Sequence, residues 1–145
     1  MTAESKLRTL ASASTALQAY FGTALFRWFD RQLPQGYIKS GPCVRLMRVS
    51  TVRTYAQAGL QNLSQPRMQI DVMDYDPENC RAAAKAVIDW LGTVDFSTDA
   101  QFSSPLTTPG NHPNFILNQR AGMDFQLQPP VYVESIDVRL YNLEN

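Results

Sequence analysis

One histidine and two cysteines in 145 residues leave little material for common catalytic and metal chemistries. His112 would have to serve any imidazole-dependent mechanism alone. It sits in Gly110-Asn111-His112-Pro113-Asn114, turn-forming chemistry that suits a solvent-facing or interface loop better than a catalyst. Cys43 and Cys80 lie far apart with no close set of further ligands, so no structural zinc site is expected. Both read as small, half-buried side chains. No Gly-x-Ser-x-Gly elbow, Walker-type phosphate loop or Gly-x-Gly-x-x-Gly turn occurs. The acidic run Asp71, Asp74, Asp76 and Glu78 suggests no metal site either. Asp71 and Asp74 fall on opposite faces of a strand, and Asp76 reads as a helix cap. No apolar run approaches the roughly 18 residues needed to span a bilayer. The first residues lack the basic and continuous apolar regions of a signal peptide, so a cytoplasmic site of synthesis is expected. Net charge is also absent, with 13 cationic and 13 anionic side chains. Without a dense Lys/Arg stripe interleaved with aromatics, tight nucleic-acid binding is not expected. No cofactor and no catalytic residue can be named, and the chain reads as a non-enzyme.

What is present is material for one domain with a proper core. The length fits a single domain spanning 1–145, and a hydrophobic fraction of 44% is globular rather than disordered. Charge is balanced in total but uneven along the chain. From Arg27 to Arg67, seven cations (Arg27, Arg31, Lys39, Arg45, Arg48, Arg53, Arg67) face one anion, Asp30. From Asp71 to Asp99, seven anions (Asp71, Asp74, Asp76, Glu78, Asp89, Asp95, Asp99) face two cations, Arg81 and Lys85. One basic and one acidic face would let copies attract each other head to tail, as in a ring.

Periodicity supplies the elements. Leu7, Leu10, Ser14, Leu17 and Phe21 recur at helical spacing, predicting one helix over about 3–20 with Thr2 as N-cap and Gly22 as its stop. Leu25 to Phe29 suits a short aromatic strand. Pro34-Gln35-Gly36 and Gly41-Pro42 mark a connection. Residues 43–54 alternate, which sends Arg45 and Arg48 to opposite sides. Residues 55–65 read as a hairpin excursion. The clearest strand is 66–75, with Met68, Ile70 and Val72 inward and Gln69, Asp71 and Met73 outward. A helix follows, capped by Asp76, opened by Pro77 and closed near Gly92. Its apolar set is Cys80, Ala83, Val87, Trp90 and Leu91. Residues 93–114 form a long Ser/Thr/Pro/Asn-rich loop, Phe115-Ile116-Leu117 a short strand, and Gly122 to Pro130 an irregular stretch. Tyr132 to Tyr141 closes the chain, with Ile136, Val138 and Leu140 inward. The fold class is α+β: a mostly antiparallel or mixed sheet of about four to six strands, with two main helices on one face.

This order of elements resembles a known family. The likeness runs through the helix ending at Leu17–Gly22, the aromatic strand, Leu33-Pro34-Gln35-Gly36 and the strand ending Val49-Ser50. It continues with Arg67-Met68-Gln69-Ile70-Asp71-Val72, Cys80 to Leu91 and Val133-Glu134-Ser135-Ile136-Asp137-Val138. The chain is similar to the tail terminator (tail completion, head–tail joining) proteins of long-tailed bacteriophages; 55–65 and 93–114 depart from the likeness. The resemblance implies a subunit of a hexameric ring in the tail or neck of the virion. Such a ring, assembled in the host cytoplasm, caps the tail tube, ends its growth, meets the head connector or stopper protein, and leaves a channel for genomic DNA. No membrane is involved. Candidate residues follow from charge and loop position, not from the resemblance. They are Arg45, Arg48, Arg53, Tyr55, Asp95, Asp99, Phe102 and His112 for interfaces. Gln69, Asp71, Asp137 and Arg139 are candidates for a sheet face lining the channel or packing on a neighbour. Two alternatives stand beside this reading. One is a head-side stopper or minor tail-tube protein; the other is a small monomeric enzyme or ligand-binding α/β module, with a pocket near His112 or the 71–78 carboxylates.

Overall fold

A computed structural model describes residues 3–30, 41–56, 59–95, 100–101, 115–125, 129–140 and 142–143. The elements run α1 (Ala3–Ser12), α2 (Thr15–Phe21), β1 (Trp28–Asp30), β2 (Cys43–Ala56), β3 (Gly59–Asp74) and α3 (Pro77–Leu91). They continue with β4 (Val94–Asp95), β5 (Ala100–Gln101), β6 (Phe115–Asp124), β7 (Val131–Arg139) and β8 (Asn142–Leu143). The main sheet has the order β1-β2-β3-β7-β6, with β8 joining β3 beyond the end of β7. The β1–β2 pair is parallel and the rest of the sheet antiparallel, so the sheet is mixed and the fold is α+β. The short strands β4 and β5 form a separate ribbon.

The expected first helix is two. Ser14 lies between α1 and α2 with extended backbone, and its Oγ accepts from Leu17 N–H at 3.5 Å. A serine that caps a new helix turns the chain where apolar spacing alone would continue it. The expected N-cap Thr2 lies outside the described residues. Gly22 ends α2 with φ 96°. A Cβ there would lie 2.7 Å from the Leu25 carbonyl oxygen, so both dihedral and space require glycine. Leu25 is exposed and outside the strand, so the aromatic strand begins only at Trp28. Arg8 of α1 donates to the Trp28 carbonyl at 2.9 Å, and Arg27 donates to the carbonyls of Tyr20 and Pro42. These arginines fasten the irregular stretch around β1 to its neighbours.

The helix-facing side of the sheet presents Val44, Leu46, Met68, Ile70, Val72, Ile136 and Val138, all buried. Against them pack Leu7, Leu17 and Phe21 from the first two helices and Cys80, Ala83, Ala84, Val87, Trp90 and Leu91 from α3. Trp28 anchors this core, edge-on to Trp90 (centroids 6.0 Å) and to Phe21 (5.7 Å), and stacked on Phe26. Each buried side chain of this size stabilises by roughly 1.5–3 kcal/mol. α3 starts as its sequence dictates: Asp76 accepts from Glu78 N–H at 2.9 Å, and Pro77 occupies the first turn. Among the described residues no helix is long and apolar enough to cross a membrane.

Two sheet segments are longer than the sequence suggests. β2 and β3 remain paired to Tyr55↔Leu60 and Ala56↔Gly59, so the expected hairpin excursion at 55–65 is built by extending both strands of the sheet; residues 57–58 lie outside the described residues. β6 runs through Gly122 to Asp124, where an irregular stretch is expected from sequence. Of the expected 93–114 loop, 94–95 and 100–101 form the ribbon; most of the remainder lies outside the described residues.

Candidate functional site

The sheet face turned away from the helices carries the charge. Register places Gln69 beside Asp137, Asp71 beside Ser135 and Arg67 beside Arg139 across β3 and β7. Gln69, Asp71, Asp137 and Arg139 therefore share this face. Arg45 joins them from β2, opposite Asp71, and Arg120 from β6, opposite Ser135.

Two carboxylates organise the face. Asp71 is only 1% exposed. It accepts from Arg45 at 3.1 Å, Ser135 Oγ at 2.7 Å and Gln69 Nε2 at 2.9 Å. Asp137, 4% exposed, accepts from Arg120 at 3.0 Å and more loosely from Arg67 at 3.4 Å. Asp124 lies 3.9 Å from Arg45. Burying these carboxylates without such partners would be strongly unfavourable. The guanidinium groups stay more open: Arg120 and Arg67 side chains are 50% and 44% exposed. The face thus hides its acids and offers its arginines.

A hollow of about 540 Å³ opens on this face, lined by Arg45, Asp71, Arg120, Gly122, Phe125 and Ser135 among others. Its polar floor is largely satisfied internally. The hollow does pair a hydroxyl with a carboxylate, Ser135 Oγ donating to Asp71 at 2.7 Å, but that carboxylate is already held by Arg45 and Gln69, and among the described residues no cluster of His, Cys, Asp or Glu has metal-site geometry. The buried thiols are not activated. Burial pushes the Cys43 thiol up to about 12 and the Cys80 thiol up to about 11, so both stay protonated. Cys43, Met73 and Val131 form a second apolar cluster that packs on Val133 of the hollow's lining, so the outward Met73 of β3 is buried rather than solvated.

The remaining sequence candidates scatter. Arg48 points to the helix side and donates to Glu4 of α1 at 2.8 Å, so it fastens a helix. Arg53 and Tyr55 lie on β2 and Asp95 on β4, their side chains outside the described residues; Asp99, Phe102 and His112 lie outside them entirely. Arg67, Arg120, Asp124 and Ser135 are not among the candidates from sequence; for Arg120 and Asp124 the reason is that β6, exposed on both faces, carries no alternation of burial.

No protein-family model matches the chain, and no curated protein matches it. Among solved structures it is similar to a chain of the virion of a native gene transfer agent particle. The two share 18% identity over 95% of this chain and 92% of that chain, with a TM-score of 0.64. At that identity the likeness is one of fold, over nearly the whole of both chains.

Proposed function

We propose that this chain is a structural subunit of a phage-like particle, and within it a tail terminator. Six copies form a ring on the end of the tail tube, stop its growth and present a surface to the head connector, with DNA passing through the middle. The observation that carries the coarser part is the fold shared end to end with a gene transfer agent virion chain. The finer part rests on the order of elements that resembles tail terminators. The site is compatible: apart from the buried Arg45 Nε, its polar groups mostly satisfy one another instead of converging on a substrate. Buried carboxylates with half-exposed arginines also make a surface suited to protein contact. A DNA-lining role for the face would need weak, passing contact, which the paired arginines favour over free ones.

The test mixes the purified chain with tubes assembled from the particle's own tube protein and images them by electron microscopy. A ring at one tube end and arrested elongation are expected. Incorporation along the tube would make it a tube protein, binding only to the head-side connector would make it a stopper, and failure to bind either would overturn the structural reading. His112→Ala should cap as well as the native chain.

A further inference from the structure

β6 is a long sheet edge. Among the described residues it pairs with β7 alone, leaving its other side without a strand partner. Every residue from Ile116 to Met123 is exposed, on both faces of the strand. Ile116, Leu117 and Met123 are 40%, 41% and 42% exposed, and Phe125 next to the strand is 68% exposed. A ten-residue edge with exposed apolar groups and no proline is a template for another strand.

Gly122 lies midway between the two charged residues of the strand's hollow side, Arg120 and Asp124. Its φ is not positive, and a Cβ there would meet nothing within 4 Å. Neither its own backbone nor its own neighbours explain the missing side chain. Glycine inside a strand weakens it, and marks a bulge, a bend or the close approach of a ligand or another backbone.

The charges identify that backbone. Arg120, Gly122 and Asp124 follow each other on the hollow side of β6, opposite Ser135, Val133 and Val131. A second β6 laid antiparallel along the edge, Gly122 against Gly122, sets each Arg120 opposite the partner's Asp124. On the other side Ala121 meets the partner's Met123, and Gln119 meets the partner's Phe125. Opposite charges directly across an antiparallel pair are favourable, and like charges there are not. We propose that two copies of the unassembled chain pair through β6 about a two-fold axis at Gly122. Such a contact closes on itself. It therefore goes beyond the ring reading and describes the chain before it meets a tube.

Light scattering on a sizing column tests it. The native chain should run as a dimer. Arg120→Asp and Asp124→Arg should each weaken association by about tenfold or more. Mixed together, the two variants should dimerise again, because each then meets an opposite charge. Arg120 also bonds Asp137, and Asp124 lies near Arg45, so thermal melts must accompany the masses. If either variant fails to fold, Gly122→Cys decides: mild oxidation should give a covalent dimer, whereas Asn118→Cys should not. A monomeric native chain, single variants that associate normally, a mixture that stays monomeric, or no cross-link at 122 would each overturn the pairing. Tube capping is measured separately, so either proposal can fail alone.

Discussion

Of the two buried carboxylates that organise the open face, Asp71 holds the more partners. Asp71 gathers Arg45, Gln69 and Ser135, each from a different strand or position, and removing it leaves Arg45 only the more distant Asp124, 3.9 Å away. Asp71→Ala should lower stability by about 3 kcal/mol, the low end for breaking a buried pair, because Arg45 retains some solvent. Urea denaturation reads this directly; a loss below about 1 kcal/mol would show that the pair behaves like a surface ion pair. Asp74 makes the opposite case. Burial, foremost, holds its carboxyl above the ordinary 3.8, against the Asp76 and Tyr75 N–H groups that it accepts. The folded chain therefore binds this proton more tightly than the unfolded one. The stability Asp74 contributes is fully present below 3.8 and lost as pH rises through its raised value. Asp74→Asn removes that titration, so the variant should gain on the native chain across that window as pH rises. A stability difference that stays constant between about pH 3 and 7 would contradict it.

At the scale of elements, α3 is where sequence and structure agree most closely. Asp76, Pro77 and the apolar set from Cys80 to Leu91 do in the fold what their types and spacing dictate. Asp76→Ala should cost about 1 kcal/mol, seen as a lower melting temperature with unchanged packing, whereas Asp76→Asn should cost little. β3 and β7 were equally legible, because one face is apolar and alternation survives. β6 was not. Its residues are exposed on both faces, so no burial alternation marks it, and Gly122 reads as a turn when its β7 partner is unseen. The α1–α2 break was missed for a different reason: apolar spacing runs straight through Ser14, and the local cap overrides it. In the candidate site, strand parity was enough to put Gln69, Asp71, Asp137 and Arg139 on one side. Which arginines meet which acids depends on strand order, and that is a tertiary fact.

Across the whole molecule, the charge asymmetry of the sequence is partly folded away. The basic stretch finds acids inside one subunit, one of them from the acidic stretch (Arg45 with Asp71) and two from elsewhere (Arg67 with Asp137, Arg48 with Glu4). Sequence segregation alone therefore overstates the contrast between two faces. Arg53, on the distal part of the β2–β3 hairpin, and Asp95, on the β4–β5 ribbon, lie on separate elements of the fold. A head-to-tail contact is best tested there. If a ring on a tube end joins copies through such charges, Arg53→Glu should reduce ring occupancy at low salt. The difference from the native chain should shrink at high salt, where attraction between charges on separate copies is screened. Arg45→Glu should do the reverse, because it sets a carboxylate against buried Asp71: a large loss of stability, with ring occupancy falling only as the folded fraction falls. Ring counts on tube ends at two salt concentrations, set beside melts of both variants, separate charge between copies from charge within one. Occupancy of Arg53→Glu equal to native at both concentrations would remove electrostatics from the ring contact and leave shape and apolar burial to hold it.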